Sequence, residues 1–339
     1  MWEPEEDRWR FAPRDEDYEW VAADAWRIAD DGQRIVLAQS RDERTGAPHE
    51  ATRFLVLDRD NPASRVAVDH LAPWPREEWR QGDGLHEWSV DAAGERLAFV
   101  HRIGEMNADG STAAANVVAV DLRSDGNALT ASPPRTVATC HDEAPPAESG
   151  LQCYGVLLSP DGRTLAVSDS DGLSLVDMAT TDARRVADHF NYMDDGVRWR
   201  VTTPSQWSPD GRWLGLRISH YEGGSAAWLD ATGGPVRDVA DSVDGISYGS
   251  TLALGADRIV HAHYDVDYGG GHLAALDPAL GEVWRMPAAS VGEARTQAFD
   301  AVVVGGGGRF GLGGSLGRGP AGDGIFALPL GGPAPQPRR

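Results

Sequence analysis

Apolar residues along this chain come in short runs broken by tight turns, and the break recurs with one shape. Two segments show it most clearly: Leu158-Ser159-Pro160-Asp161-Gly162-Arg163-Thr164-Leu165-Ala166-Val167, and Trp207-Ser208-Pro209-Asp210-Gly211-Arg212-Trp213-Leu214-Gly215-Leu216. Each reads as a strand, a Pro-Asp-Gly turn and a second apolar strand, because Asp-Gly supplies the positive φ that a short hairpin turn requires. Weaker versions run from Trp26 to Leu37 with the turn at Asp31-Gly32, from Trp88 to Val100 with the turn at Ala93-Gly94, and around Ala256-Asp257. A glycine-rich version runs from Phe299 to Leu312.

A third strand is predicted after each hairpin, and in five units it ends in aspartate: Phe54–Asp58, Val117–Asp121, Leu173–Asp177, Ala226–Asp230 and Leu273–Asp277. A fourth follows at Arg65–Asp69, Arg135–Thr139, Arg184–Ala187, Val236–Ala240 and Glu282–Met286. Four short strands repeated roughly every 50–60 residues predict the blades of a propeller. The fold class is therefore all-β, a six-bladed β-propeller of four-stranded antiparallel blades. Its single domain covers residues 1–330, with blades near 20–70, 86–140, 153–188, 204–241, 247–287 and 296–330. The sixth unit stops at its third strand, Ile325–Leu330, before a Pro- and Gly-rich tail at 331–339 that is unsuited to a ladder. The run Arg8-Trp9-Arg10-Phe11-Ala12, within 7–12, is expected to supply the missing outer strand and so remove an exposed edge.

The Ser-Pro-Asp-Gly-Arg hairpins at Ser159–Arg163 and Ser208–Arg212 resemble the WD40-like repeats of TolB-type propellers. The same repeats occur in the propeller domains of prolyl-oligopeptidase-like peptidases. The resemblance covers two units cleanly and implies a fold rather than an activity.

Charge narrows the partners. A net charge of −21 over 339 residues argues against nucleic acid, which needs clustered Lys and Arg, and against an anionic membrane surface. The opening residues Met1-Trp2-Glu3-Pro4-Glu5-Glu6-Asp7 lack the basic and apolar regions of a secretory signal, so the expected location is cytoplasmic. The two cysteines, Cys140 and Cys153, flank one loop; they can pair in an exported chain and stay reduced in a cytosol.

Three catalytic-looking motifs dissolve in context. Gly306-Gly307-Gly308-Arg309-Phe310-Gly311 fits GxGxxG but lacks the following helix and acidic residue, so no nucleotide cofactor is expected. Gly313-Gly314-Ser315-Leu316-Gly317 fits GxSxG, yet Arg318-Gly319-Pro320 after it cannot form the helix of a nucleophile elbow. The acidic loops at Asn107–Gly110 and Asp169–Gly172 match turn chemistry rather than a calcium loop.

On this strand assignment all ten histidines and all seven tyrosines fall at one end of the blades, where second strands turn into third strands and one blade leads to the next. Long loops on a rigid scaffold usually carry binding residues, so that end is the expected working face. His261-Ala262-His263-Tyr264-Asp265, with His272 beyond the turn, puts imidazoles and a carboxylate at alternate positions that can hold Zn²⁺, Mn²⁺ or Ca²⁺; otherwise it is a polar hairpin tip. His86 and Glu87 precede an innermost strand, where they can serve as acid and base or simply cap a loop. His189, Tyr192 and Arg198 are further candidates for chemistry. His70, Trp74, Trp79, Arg80, His101, Tyr154, Trp199, Arg200, His220, Tyr248 and Tyr264 are candidates for ligand contact, by stacking or by holding an anion. Two functions fit. One is an enzyme (a lyase, hydrolase or isomerase) acting on a small polar molecule such as a carbohydrate or modified peptide. The other is a scaffold gripping a protein segment with the same face.

Overall fold

The computed structural model describes residues 2–3, 8–9, 18–20, 26–29, 33–41, 53–61, 64–69, 88–106, 112–125, 128–141, 153–169, 172–188, 190–191, 199–220, 223–238, 249–255, 259–264, 271–277, 281–287, 301–305, 309–314 and 324–329. Among them every regular element is a strand, and no helix is long and apolar enough to cross a membrane. The strands form six antiparallel sheets in chain order, with a separate two-stranded hairpin at the N-terminus.

Sheet one contains Tyr18–Trp20, Trp26–Ile28, Arg34–Arg41, Arg53–Asp58 and Arg65–Asp69; the first two strands share one neighbour, Arg34–Arg41. Sheet two contains Trp88–Val90, Arg96–Met106, Thr112–Asp125, Ala128–Ala131 and Arg135–His141. Sheet three is Cys153–Leu158, Thr164–Asp169, Gly172–Asp177 and Ala183–Asp188, in that order. Sheet four runs Phe190–Asn191, Trp199–Trp207, Trp213–His220, Gly223–Asp230 and Arg237–Asp238. Sheet five is Gly249–Leu254, Ile259–Tyr264, Gly271–Asp277 and Gly281–Pro287, and sheet six Ala301–Gly305, Arg309–Gly314 and Gly324–Pro329. The chain divides into two compact units, residues 1–170 with 176–183 and residues 171–175 with 184–339.

Two expectations meet different strands. In sheet two the third strand does not end at Asp121 but continues to Asp125, because Ala128–Ala131 turns back as an additional partner. At the N-terminus Arg8–Trp9 pairs with Trp2–Glu3, placing Trp2 opposite Trp9 and Glu3 opposite Arg8. Pairing so near in sequence costs little loop entropy and sets opposite charges across the ladder. Sheet six has three described strands, and its completion by the N-terminal run is not among the described pairings.

The hairpin motif is explained by its own hydrogen bonds. Ser159 Oγ donates to Asp161 Oδ1 (2.7 Å) and accepts from the Thr164 N–H (2.9 Å), while Gly162 takes φ +66°. Ser208 repeats this with Asp210 (2.6 Å) and the Trp213 N–H (2.8 Å), and Gly211 takes φ +71°. The aspartates closing third strands have an equally local task. Asp58 Oδ1 accepts from the N–H groups of Asp60 and Asn61, Asp177 Oδ1 from those of Ala179 and Thr180, and Asp230 Oδ1 from that of Thr232. Each bridges its own turn, as aspartate does in an Asx-turn.

Strands such as Ile35-Val36-Leu37 are apolar at every position because both faces are covered. Ile35 and Leu37 pack with Leu55 and Leu57 on one face of sheet one. Val36, Phe54 and Val56 pack on the other against Trp88, Leu97 and Phe99 of sheet two, the Phe54 ring lying 5.3 Å from that of Trp88. Sheets two and three share a core through Val100, Val117, Val137, Val156, Leu165 and Val167, and sheets four and five through Trp213, Trp228, Leu252, Leu254 and Ile259.

Candidate functional site

At the end bearing the first hairpin turn, polar groups are spent on holding sheets together. Arg34 Nη1 of sheet one donates to the Gly94 carbonyl of sheet two (2.7 Å), and Arg96 Nη1 of sheet two donates to the Gly162 carbonyl of sheet three (2.6 Å). Each arginine reaches the turn glycine of the next sheet. Arg96 Nε also bonds Asp121 Oδ1 at 2.7 Å.

Asp91 belongs to this wiring. It occupies the position that serine fills at 159 and 208, and its Oδ1 accepts directly from the N–H groups of Glu95 (2.7 Å) and Arg96 (3.1 Å). Burial, at 6% exposure, raises its pKa above the ordinary value of 3.8 even though those bonds favour the charged form. A raised folded-state pKa means stability that is full below the ordinary value and lost as pH rises through the folded one. Asp91→Asn keeps an acceptor and removes the buried charge. The variant is therefore expected to gain stability over the parent at pH 7, with the gain vanishing below pH 3.8. Urea midpoints across pH check this, and a gain that persisted in acid would contradict it. Asp161 shows the reverse balance: burial pushes its carboxyl up, but the Ser159 hydroxyl and Arg163 outweigh it and hold it below the usual range.

At the opposite end, several of the described candidates lie on second strands and the strands paired with them. In sheet five the register sets His261 opposite Leu252 and Ala274, and His263 opposite Ser250 and His272. Residues i and i+2 share a face, and so do directly opposed residues, whose Cβ atoms lie about 5 Å apart. His261, His263 and His272 thus hold adjacent positions on one face of sheet five. It is the face of Leu252, Leu254 and Ile259, which pack on Trp213, Ala226 and Trp228 of sheet four. The three histidines lie farther along it, away from the turn that follows Leu254. Ser250, opposite His263, was not singled out from the sequence, although hairpin counting back from His263 reaches it.

The remaining candidates fall on several sheets. His101 is opposite Asn116, whose Oδ1 accepts from Thr139 Oγ1 at 3.0 Å. Tyr154 is half-buried in the first strand of sheet three. Trp199 and Arg200 pair with Asn191 and Phe190 where sheet four begins its long strand, His220 is opposite Gly223, and Tyr264 is opposite Gly271. His70, Trp74, Trp79, Arg80, His86, Glu87, His189, Tyr192, Arg198, Tyr248 and Asp265 lie outside the described residues. Among the residues whose side chains are described, no group of three or more metal-ligating side chains gathers.

No protein family and no characterised protein matches the sequence. By structure the chain is similar to prolyl oligopeptidase B from Galerina marginata in its apo form, at 12% identity and TM-score 0.52 over 92% of this chain and 40% of that one. It is also similar to oligogalacturonate lyase in complex with manganese, at 10% identity and TM-score 0.49 over 91% and 76% of the chains. TolB from Acinetobacter baumannii follows at 12% identity and TM-score 0.41 over 77% and 52%. The first likeness shows a shared all-β fold of the propeller type, in line with the repeated four-stranded meanders. This chain spans 40% of the prolyl oligopeptidase and 52% of TolB. Nothing about ligand, metal or reaction follows from these likenesses.

Proposed function

We propose that this chain is a six-bladed propeller that binds a small polar molecule, a carbohydrate or modified peptide, at the histidine-bearing end of its blades. A divalent cation there assists elimination, hydrolysis or isomerisation. The observation that carries the reading is the register of sheet five, with His263 opposite His272 and His261 two residues along the same strand. A His-x-His pair beside a third histidine on the neighbouring strand offers three imidazole donors and leaves positions open for water or substrate. Imidazole donors suit Zn²⁺ or Mn²⁺ better than Ca²⁺, which takes oxygen ligands. When bound, such a cation supplies a Lewis acid and lowers the pKa of water. In this reading Asp265 adds a carboxylate, and Arg80, Arg198 and Arg200 bind an anionic group on the ligand. His86 with Glu87, and His189 with Tyr192, are the proposed proton-transfer groups.

Titration of the purified chain with Zn²⁺ and Mn²⁺ by calorimetry tests this. Near-stoichiometric binding is expected, weakened more than about tenfold by His263→Ala and by His272→Ala. Binding unchanged in both variants, or absent in the parent, would favour the alternative of a scaffold that grips a protein segment with this face.

A further inference from the structure

Cys140 and Cys153 form a disulfide, with Cα atoms 5.8 Å apart and a sequence separation of 13. Cys140 lies near the end of the outer strand of sheet two, opposite Ala115, and Cys153 opens the first strand of sheet three. The bond therefore crosses from one sheet to the next. Both residues are buried, at 0% and 3% exposure, in the apolar core that Val100, Val117, Val137 and Val156 build between the two sheets.

We infer that this disulfide is a structural lock set during folding, and that the chain matures in an oxidising compartment. An oxidant cannot reach two thiols sealed in that core, so the bond forms before or as the sheets close. One thiolate attacks a sulfur of a small-molecule or protein disulfide, R–S–S–R, and expels RS⁻. The second thiolate then displaces the other RS⁻, so the pair yields one disulfide, two RSH equivalents and no net change in protons. Persistent bonds of this kind belong to exported or extracellular settings, whereas a reducing cytosol keeps thiols free. The buried bond across the sheet interface points away from a reducing cytosol. This inference is independent of the metal reading.

The test uses the full chain refolded in a glutathione redox buffer, then denatured with an alkylating agent and weighed. No alkylated cysteine is expected. Dithiothreitol is expected to reduce the native protein at least about a hundredfold more slowly than the denatured chain, since reduction must wait for the sheets to part. The unfolding midpoint should fall after reduction, and Cys140→Ser/Cys153→Ser should fall to the same level. Should the double variant fail to fold, chemical reduction of the parent still gives the comparison. Two alkylated thiols after oxidative refolding, equally fast reduction of native and denatured protein, or equal midpoints for reduced and oxidised chains would each overturn the inference.

Discussion

Gly172→Ala is expected to destabilise the protein by about 2–5 kcal/mol, far more than a small-to-small change in an ordinary strand position. Gly172 begins the third strand of sheet three at φ +140°, a conformation that L residues rarely adopt. A side chain there meets backbone, not a flexible neighbour: an added Cβ would run into the Ala187 carbonyl oxygen and stand 2.9 Å from the Asp188 Cα. Both groups belong to the adjacent fourth strand, so relief requires the two strands to separate where they pair. Backbone strain alone is worth about 1–2 kcal/mol, and forcing packed backbone aside adds about 1–3. Gly233 separates the two contributions. It has a similar φ of +135°, but a Cβ would meet nothing within 4 Å, so Gly233→Ala should show the strain alone. Denaturant midpoints at unchanged m give both values. Equal losses in the two variants would show that the contact with Ala187 has no energetic weight.

What could be read from the sequence was local. The Ser-Pro-Asp-Gly turns were legible because Ser159 and Ser208 satisfy donors within five residues, so the pattern needs no tertiary context. The aspartates after third strands were legible as positions for the same reason. Their extension failed at Asp121, where the partner that prolongs the strand, Ala128–Ala131, carries only a weak alternation. The sheet-to-sheet bonds of Arg34 and Arg96 were not legible. Their acceptors are 60 and 66 residues away and are backbone carbonyls, which leave no mark on composition. The disulfide stood as one of two alternatives, because a 13-residue spacing fits either state until strand geometry brings the cysteines together.

For the site, the alternation of His261 and His263 marked one face of a strand. Placing His272 opposite His263 required the hairpin register, which sequence patterning alone does not set. Candidates between the expected strands, such as Trp74 and Arg198, have no period in the sequence to read. Sequence could group them by end of blade only.

Trp228→Ala is expected to cost about 3–5 kcal/mol and to weaken cation binding at sheet five as well. Trp228 is 2% exposed and sits with Trp213, Leu252, Leu254 and Ile259 in the core shared by sheets four and five. Opposite it stands Gly215, where an added Cβ would be 3.1 Å from Leu254 Cδ1, so Leu254 takes the room that a side chain at 215 would need. Truncation removes a large apolar surface and leaves a void bounded by strand backbone and by Leu254, neither free to collapse into it. Leu252 pairs with His261, so loosening Leu252 loosens the strand position nearest the proposed cation. Trp228→Phe, which keeps a ring, should recover part of the stability and most of the cation affinity. The informative comparison is between Trp228→Ala and Gly172→Ala. Both lower stability, but only the first disturbs the core beneath His261. Cation titration below each variant's unfolding transition should show weakened binding for Trp228→Ala alone. If both variants lost affinity in proportion to stability, the histidine face would have no special dependence on this core.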